Sequence, residues 1–384
     1  MPEILILGGY GNFGKRISRA LLRHKLPIAI AGRDETKARS MADALRAEFP
    51  EARIRWEAID AESGLDRHLR RLQPVVTINT CGPFQTKKYD VAEACIASGS
   101  SYIDLADARD FVTGISSLQD RAERAGLSVI SGASTVPGLS SAVIEHYRRE
   151  FTRIETLRFG ISPGQKAERG LATTQAILSY IGKPLRRAGL SQTQRYGWQN
   201  LYRQRYPELG PRWMANCDIP DLDLFPEKYD IGTIQFSAGM ELPPIHFGIW
   251  ALGWLTRLGL SVDWPRYAKA LLGASNWFDR FGSDAGGMHV ILQGTGTDGA
   301  PHERRWFIIA KNGDGPQIPC VPAILLAKKL ALGQPVPSGA MACVGLVTLE
   351  EYLEELEIFA VRTYEQRPAS KTERSLFDAY DQKH

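Results

Sequence analysis

The sequence predicts a two-domain protein with an α/β fold: a doubly wound parallel sheet, followed by a second α+β domain with a mainly antiparallel sheet. Short apolar runs alternate with helical patterns over the first third of the chain, which is typical of helices that connect parallel strands. A glycine cluster stands between the first run and the first helix. In the second half, two longer runs flank the turn signal Thr297-Asp298-Gly299, which favours an antiparallel hairpin. The length of 384 residues suits two such domains.

Six apolar runs account for the predicted parallel strands. They cover residues 4–7, 27–31, 54–60, 75–80, 101–107 and 127–132. Residues 15–23 form an amphipathic pattern with Ile17, Ala20 and Leu21 on one face, which predicts a helix. A second helix is expected after Asp34, a residue type that caps helices, and another over residues 89–97.

The second half is predicted to combine strands and helices differently. Strands are expected at 156–162, 232–242, 288–294 and 304–311, and helices at 168–181, 245–258 and 350–359. The run 245–255 is strongly apolar but shorter than the ~20 residues that a membrane span needs. We expect it to be a buried helix or a dimer face. Contact with a membrane surface is the alternative, because six of the eight tryptophans lie between residues 198 and 277.

The composition excludes several classes of function. The formal net charge of +4, from 47 basic and 43 acidic residues, is too small to indicate a nucleic-acid-binding protein. Five cysteines without C-x-x-C spacing and seven scattered histidines disfavour a disulfide framework and a metal held by the protein. The first residues lack the pattern of a signal peptide, so a cytoplasmic location is expected.

The positive charge is concentrated in residues 183–213. This segment has one acidic residue, Glu208, and a local net charge of +6, with aromatic residues in between. The basic residues are Lys183, Arg186, Arg187, Arg195, Arg203, Arg205 and Arg212. The segment is either a wall that receives an anionic substrate or cofactor, or a solvated loop whose aromatic side chains pack inward. Contact with a nucleic acid or another partner is a third interpretation.

Residues 9–14, Gly-Tyr-Gly-Asn-Phe-Gly, fit the pattern G-x-G-x-x-G after the first strand and at the start of a helix. Gly9 permits a tight turn, and Gly11 lets the backbone approach a pyrophosphate. Gly14 allows close contact between helix and strand, and the helix N-terminus offers free N–H groups to an anion. This context predicts a dinucleotide site.

The end of the second strand indicates which dinucleotide binds. NAD sites usually have an acidic residue there, whereas this chain has Gly32, which leaves room, and Arg33. A guanidinium group suits a 2′-phosphate, and Lys37 lies one helical turn further on. We therefore predict NADP(H) rather than NAD(H). The alternative is that Asp34 binds a ribose hydroxyl after a shift of register.

Two further strand ends point towards the same crevice. Asp60 follows the third strand and either accepts a hydrogen bond from an adenine amino group or caps a helix. The fourth strand ends in small, turn-forming residues at 79–84, where a ribose and a nicotinamide pass in such sheets. The predicted cofactor-contacting residues are Gly9, Tyr10, Gly11, Asn12, Phe13, Gly14, Gly32, Arg33, Lys37, Asp60, Thr80, Gly82, Pro83 and Phe84.

These segments resemble the saccharopine dehydrogenase (reductase)-like family of NADP-binding oxidoreductases, in particular its short bacterial members. The resemblance is carried by GGYGNFG, AGRDETK, NTCGPFQTKKYDVAEACIASGSSYIDLAD and SGASTVPGLSSAVI. It implies a Rossmann domain (residues 1–140), a substrate and dimerisation domain (141–320) and a C-terminal segment (321–384) that returns to the first domain. It also implies a homodimer and hydride transfer on amino-acid-derived imines or amines.

The residues that carry the chemistry are predicted from their position at strand ends. The nicotinamide supplies the hydride, so the protein must position a carbon and handle one proton. Asp107 is the best-placed candidate, and its alternatives are a helix cap or a partner for Arg109. Cys81, in the cofactor-facing turn, and Lys87 are the other catalytic candidates. Lys87 and its neighbour Lys88 either bind a substrate carboxylate or face water. The substrate-binding candidates are Arg169, Thr173 and Arg212.

We therefore predict an NADP(H)-dependent oxidoreductase that transfers a hydride to or from a C=N, C–N or C=O carbon of a small, anionic, amino-acid-like substrate. Two other classes of function are alternatives: a non-catalytic NADP(H)-binding regulator, and a scaffold associated with a membrane or a protein.

Overall fold

Six short strands follow one another in the first part of the chain and all run parallel. The structure, a computed structural model, describes residues 3–190, 194–260 and 262–366. Five of the six strands are buried at every residue, because helices cover both faces of the sheet. The strands are β1 (Ile4–Leu7), β2 (Ile28–Gly32), β3 (Ile54–Ala58), β4 (Val76–Asn79), β5 (Ser101–Asp104) and β6 (Ser128–Ser131).

The strand order β3-β2-β1-β4-β5-β6 reverses direction at β1, which pairs with both β2 and β4. In such a doubly wound sheet, the crevice at the carboxyl ends of these two central strands is the binding site for ligands. The helices of this part are α1 (Asn12–Arg23), α2 (Glu35–Glu48), α3 (Leu65–Leu72), α4 (Asp90–Ser98), α5 (Arg109–Thr113), α6 (Gln119–Ala125) and α7 (Ser140–Tyr147). The predicted parallel half is confirmed.

The second sheet is mixed and mainly antiparallel, as predicted. Its strands are β7 (Phe151–Ser162), β8 (Tyr202–Tyr206), β9 (Gly210–Asn216), β10 (Thr233–Ala238), β11 (Gly286–Gly296) and β12 (Pro301–Ala310). Within this second sheet, as far as the structure describes it, only β7 and β10 pair in parallel. The predicted hairpin turn joins β11 to β12, and Gly299 there has a φ of +79°. The helices are α8 (Leu171–Ser179), α9 (Asp221–Tyr229), α10 (Pro243–Arg257) and α11 (Ala268–Asn276).

The C-terminal segment contributes to both sheets. It contains α12 (Val321–Ala331), β13 (Gly339–Ala342), α13 (Leu349–Leu356) and β14 (Val361–Gln366). β13 pairs in parallel with β6, and β14 pairs with β12 at the edge of the second sheet. The buried helix α12 packs against α1, β4 and β5. The predicted limits at residues 140 and 320 and the homodimer stay predictions.

Short helical turns connect these elements. They are Gly114–Leu118, Thr135–Leu139, Arg148–Glu150, Trp264–Tyr267, Asp279–Phe281 and Gly315–Cys320. In the described ranges, no helix is both long and apolar enough to cross a membrane. Of the two expectations for the run 245–255, the buried helix is wrong, whereas the dimer face stays a prediction. In α10, only His246 and Gly253 are buried, and the helix contacts the second sheet at β9.

A buried arginine joins the two domains. Arg109, at the start of α5, is 3 % exposed and donates from Nε to Asp223 (2.9 Å) and from a terminal nitrogen to Asp218 (2.8 Å). It also donates to the backbone carbonyls of Arg186 and Arg187 (3.1 and 3.2 Å). Its partners therefore all belong to the second domain, so the predicted alternative of an Asp107–Arg109 pair is not what the structure contains.

The basic segment 183–213 is largely used in internal contacts, as far as the structure describes it. Trp198 and Tyr206 are buried, which agrees with aromatic side chains packed inward. Arg186 pairs with Asp110 and Asp223, and Arg195 donates to the Ile234 carbonyl. The local excess of positive charge therefore finds acidic and carbonyl partners within the fold.

We predict that Arg109→Ala lowers the free energy of unfolding by about 3 kcal/mol, because it leaves the partly buried Asp218 without its cation and Asp223 with Arg186 alone. The measurement is urea denaturation followed by circular dichroism. Arg186→Ala is the matched control: it shares Asp223 but its side chain is 51 % exposed, so it should cost less than about 1 kcal/mol. Equal effects of the two substitutions would contradict the role of Arg109.

Candidate active site

The glycine turn between β1 and α1 brings the helix N-terminus against the strand end. The N–H of Gly11 donates to the carbonyl of Gly8 (2.8 Å), which has a φ of +74°. A Cβ at Gly14 would lie 2.3 Å from that same carbonyl oxygen, so glycine is required there. No side chain of the described residues caps α1, and its first turn has no acidic residue. Its free N–H groups therefore form a site for an anion.

The aromatic ring of Tyr10 lies beside the end of β2. A Cβ at Gly32 would lie 2.4 Å from this ring, so the space that Gly32 leaves is filled by Tyr10. The Tyr10 hydroxyl accepts the N–H of Asp34 (3.1 Å). Asp34 is the N-cap of α2 and accepts the N–H of Lys37 (3.0 Å), while its second oxygen pairs with the Lys37 ammonium (3.2 Å). Both carboxylate oxygens of Asp34 are therefore engaged at the start of α2, which disfavours the alternative that Asp34 binds a ribose hydroxyl.

Arg33 is an exposed side chain at the carboxyl end of the sheet. It makes no hydrogen bond and no ion pair within residues 3–190, 194–260 and 262–366. Its positive charge lowers the pKa of the Cys81 thiol against the effect of burial, so Arg33 lies in the neighbourhood of the β4 turn. An exposed guanidinium beside the dinucleotide crevice is available for a 2′-phosphate.

The turn after β4 is joined to the glycine turn. The Thr80 hydroxyl donates to the carbonyls of Leu7 (2.8 Å) and Gly8 (3.2 Å). A Cβ at Gly8 would lie 3.1 Å from Cys81 Sγ, so this thiol packs under the glycine turn. Burial raises the pKa of the Cys81 thiol to about 11, and it stays protonated at neutral pH. This protonation state disfavours Cys81 as a nucleophile.

A cleft between the two domains begins at these turns. It consists of two adjacent cavities of about 200 and 300 Å³. The smaller is lined by the Gly82–Phe84 turn and the first residues of α8, and the larger by the turn after β6, the loop 163–170 and residues 284–288. Residues common to both cavities are Asn12, Phe13, Leu105, Asp107, Gly170 and Thr173. The predicted residues Asp107 and Thr173 therefore meet at the centre of the cleft.

Asp107 is the titratable residue at the junction of the two cavities. It is partly exposed to the cleft, while protein atoms surround the rest of its carboxyl group. This burial raises its pKa, and the Gln85 amide, which donates to Oδ1 (3.3 Å), opposes the rise. A carboxyl group with a raised pKa retains a proton closer to neutral pH and can donate it.

Two other predicted residues are engaged in surface contacts. The Lys87 ammonium pairs with the carboxylate of Glu62. Asp60 accepts the N–H of Glu62 (3.0 Å) through its side chain, and its carbonyl accepts the N–H of Ser63 (3.2 Å). Asp60 thus stabilises a turn, which is close to the predicted alternative of a cap.

The loop before α8 reaches across the cleft to the first turns of α1. Glu168 pairs with Lys15 (2.8 Å) and Arg16 (3.1 Å), and the Asn12 amide donates to the Glu168 carbonyl (3.3 Å). These contacts bring a second-domain carboxylate beside the helix that offers its N-terminus to an anion. Sequence analysis missed Glu168, because its partners lie about 150 residues away along the chain.

The two predicted substrate arginines are already paired. Arg169 lines the larger cavity and donates to Ser275 (2.7 Å) and Asp279 (2.8 Å). Arg212 is buried outside the cavity lining and pairs with Glu241 (3.2 Å). Glu241 also accepts the N–H groups of Gln165 and Ser283 (2.7 and 2.9 Å), so the pair holds two loops that shape the larger cavity.

Asp104, at the end of β5, is a second acidic residue that sequence analysis missed. It is fully buried, and its Oδ1 accepts the N–H groups of Ala106 and Gly132 and the Ser131 hydroxyl, each at 2.9 Å. Its Oδ2 has no hydrogen-bond partner among the described residues. Burial raises the pKa of Asp104 to about 6. The signal was an acidic residue inside an otherwise apolar strand.

A Rossmann sheet, a glycine turn at its switch point and a cleft against a second domain are typical of dinucleotide-binding proteins. Residues 4–130 match the family model described as "Saccharopine dehydrogenase NADP binding domain". The first domain of the chain is thus similar to the NADP-binding domain of saccharopine dehydrogenases.

Two individual proteins are similar to the chain. A probable mitochondrial saccharopine dehydrogenase-like oxidoreductase of Arabidopsis thaliana is 30% identical over 149 residues, which are 35% of this chain and 32% of that protein. The chain thus spans about a third of the length of this curated relative. Apo saccharopine dehydrogenase (L-Glu forming) from Saccharomyces cerevisiae has the same fold, with a TM-score of 0.65 at 12% identity over 95% of this chain and 100% of that chain.

The residues present fit NADP(H). Because positions 8, 11 and 14 have no side chains, the backbone of the glycine turn is open to a pyrophosphate. A Cβ at Gly14 would clash with the turn and prevent the close contact that positions α1. Arg33 supplies a cation where an NAD site has an acid. Asp34, the nearest acidic residue, is held by Lys37. The fit therefore includes the phosphate that distinguishes NADP(H) from NAD(H).

We predict that Asp104→Asn reduces the pH dependence of stability. Since burial raises this pKa above its unfolded value, ionisation of Asp104 costs stability, fully above about pH 6 and progressively less as the pH falls. Relative to wild type, the variant should therefore lose roughly 1–2 kcal/mol of stability between pH 8 and pH 5. Urea denaturation at both pH values measures this. A difference between the two proteins that stays constant with pH would contradict the prediction.

Proposed function

We propose that the protein is an NADP(H)-dependent oxidoreductase that transfers a hydride to or from a C=N, C–N or C=O carbon of a substrate bound in the interdomain cleft. The observation that carries this proposal is the meeting of the glycine turn, the Gly82–Phe84 turn and Asp107 around one cleft. Such a cleft brings a dinucleotide and a substrate together while excluding water.

The chain's own residues divide the binding work. The N-terminus of α1 and the glycine turn bind the pyrophosphate, and Arg33 binds the 2′-phosphate. Thr80 keeps the β4 turn against the glycine turn, so that the Gly82–Phe84 wall lies opposite α8. NADP(H), when bound, supplies or accepts the hydride.

Asp107 is the group that we propose handles the proton. It is at the point where both cavities meet, so a polar atom of a substrate can reach it from either side. Burial raises its pKa and so favours the protonated form, which is the form that donates a proton in a reduction. Gln85 orients the carboxyl group through Oδ1.

The lining of the larger cavity supports a substrate with an apolar body. Much of its wall is formed by apolar side chains: Phe13, Leu105, Val136, Ile161, Met288, Pro316 and Ile318. The predicted small, anionic, amino-acid-like substrate has less support, because Arg169 and Arg212 already neutralise Asp279 and Glu241. We propose that the reacting polar group faces Asp107 and that the remainder of the substrate is apolar.

We predict that NADPH raises the melting temperature far more than NADH, and that Arg33→Ala removes most of this difference. Loss of hydrogen bonds between a guanidinium and a phosphate should weaken NADPH binding by about 10–100-fold and leave NADH binding nearly unchanged. Thermal shift and calorimetry measure both. Arg39→Ala, an exposed position on α2, is the control. Equal shifts by the two cofactors in wild type would overturn the choice of NADP(H).

We predict that Asp107→Asn lowers kcat by about 10²–10⁴-fold without changing NADPH affinity. Assays would follow NADPH oxidation with a panel of imines, keto acids and apolar carbonyl compounds. Because the acid form donates the proton, the wild-type rate of reduction falls as the pH rises through the raised pKa of Asp107. The pH–rate profile of the variant should lack this decrease.

Gln85→Leu separates proton transfer from a structural effect. Removing a donor to the carboxylate raises the pKa of Asp107 further. The decrease in the rate of reduction should therefore occur at higher pH, while the maximal rate changes little. A Gln85→Leu profile identical to that of wild type would argue against Asp107 as the acid. NADPH binding without turnover of any panel compound would favour the non-catalytic regulator.

A further inference from the structure

Residues 243–281, which we call the helical layer, cover the outer side of α8. The helical layer consists of α10, the turn Trp264–Tyr267, α11 and the turn Asp279–Phe281, with residue 261 outside the description. Trp264 Nε1 donates to Thr256 Oγ1 (2.8 Å), which joins the first turn to α10. The helical layer is thus an attached part of the second domain.

The helical layer carries an unusual concentration of exposed apolar side chains. Among the described residues, nine of the thirteen large exposed apolar side chains belong to it, and Trp277 is 81% exposed. These nine are Phe247, Trp254, Leu255, Leu258, Leu260, Tyr267, Trp277, Phe278 and Phe281. A monomeric surface rarely exposes so many apolar groups in one region, and such regions mark interaction sites.

Cationic side chains are interspersed with these apolar groups. Arg257, Arg266, Lys269 and Arg280 are exposed. Arg257 lies over the rings of Tyr196 and Trp254 (4.1 and 4.4 Å), and Arg280 over the ring of Phe281 (4.6 Å). The described part of the layer has two acidic residues, Asp263 and Asp279. Asp279 pairs with Arg169, so Asp263 is the acidic residue that offsets the positive charge of the surface. The layer therefore presents a positive, aromatic-rich surface.

We propose that the helical layer is a docking surface for an anionic lipid membrane. Trp, Phe and Leu side chains with basic neighbours are the residues that anchor helices in the plane of a membrane surface. The 15 residues of α10 are too few to span a bilayer, so the helix lies along it. A two-fold dimer through the same face would oppose its own cations, whereas anionic headgroups neutralise them.

The helical layer is connected to the wall of the cleft. Gln165 Nε2 donates to the Ser275 carbonyl (2.9 Å) and to Asp279 (2.8 Å), and Arg169 reaches Ser275 and Asp279 too. Three residues after the exposed Phe281, Asp284 lines the larger cavity. Docking would therefore bring the apolar cavity close to the lipid phase. This link to a membrane-borne apolar substrate depends on the proposed function, but the docking itself does not.

Flotation of the full chain with lipid vesicles tests the docking surface. The protein should float with vesicles of mixed phosphatidylcholine and phosphatidylglycerol, and much less with phosphatidylcholine alone. Arg266→Gln/Lys269→Gln/Arg280→Gln should weaken binding to the mixed vesicles on the order of a hundredfold, at about fivefold per cation. Trp277→Ser/Phe281→Ser should weaken it at least about tenfold.

Leu332→Ser/Ile358→Ser is the matched control, since both side chains are exposed but lie outside the layer. It should float like wild type. Absence of flotation, or equal flotation of all variants, would overturn the proposal. So would a loss of dimer mass by light scattering in Trp277→Ser/Phe281→Ser without vesicle binding by wild type, which would assign the face to a second copy. NADPH thermal shifts, measured without vesicles, test the proposed function separately.

Discussion

The close approach of α1 to the end of β1 is the constraint on which the cleft depends. A side chain at position 14 would meet the Gly8 carbonyl at 2.3 Å and move the helix away from the strand. Asn12 and Phe13, which line both cavities, would move with it. Thr80 then extends this contact to the next strand end through its hydrogen bonds to Leu7 and Gly8. The turns after β1 and β4 are therefore joined into one unit.

The second domain is held to this unit by charged groups. Arg109 extends from α5 to Asp218 and Asp223, and Glu168 reaches back to α1. Glu168 lines the larger cavity, whereas the Arg109 contacts join the two domains outside the cavity lining. Arginines of the basic segment 183–213 are also bound within the fold: Arg186 pairs with Asp223, Arg195 donates to the Ile234 carbonyl, and Arg212 pairs with Glu241. The concentration of positive charge in the sequence therefore did not by itself identify a surface that binds an anionic substrate.

The strands of the first sheet and the cofactor turn could be predicted from the sequence, whereas several site assignments could not. Apolar runs between turn residues locate β1, β2 and β4 to within a residue or two, because burial on both faces demands them. Asp104 and Asp107 stand three residues apart in one motif. Only their surroundings distinguish a buried structural carboxyl group from one that faces the cleft.

The sequence by itself determined the Rossmann half, the glycine turn and a cation in place of the acid of NAD sites, since these depend on local patterns of size, polarity and backbone freedom. Only the tertiary structure decided which charges are available. Lys87 pairs with Glu62, and Arg169 pairs with Asp279; the partners are 25 and 110 residues apart along the chain. It also decided that α10 presents its apolar side chains outward. Both outcomes depend on contacts between distant segments, and periodicity within one segment carries no information about its partner.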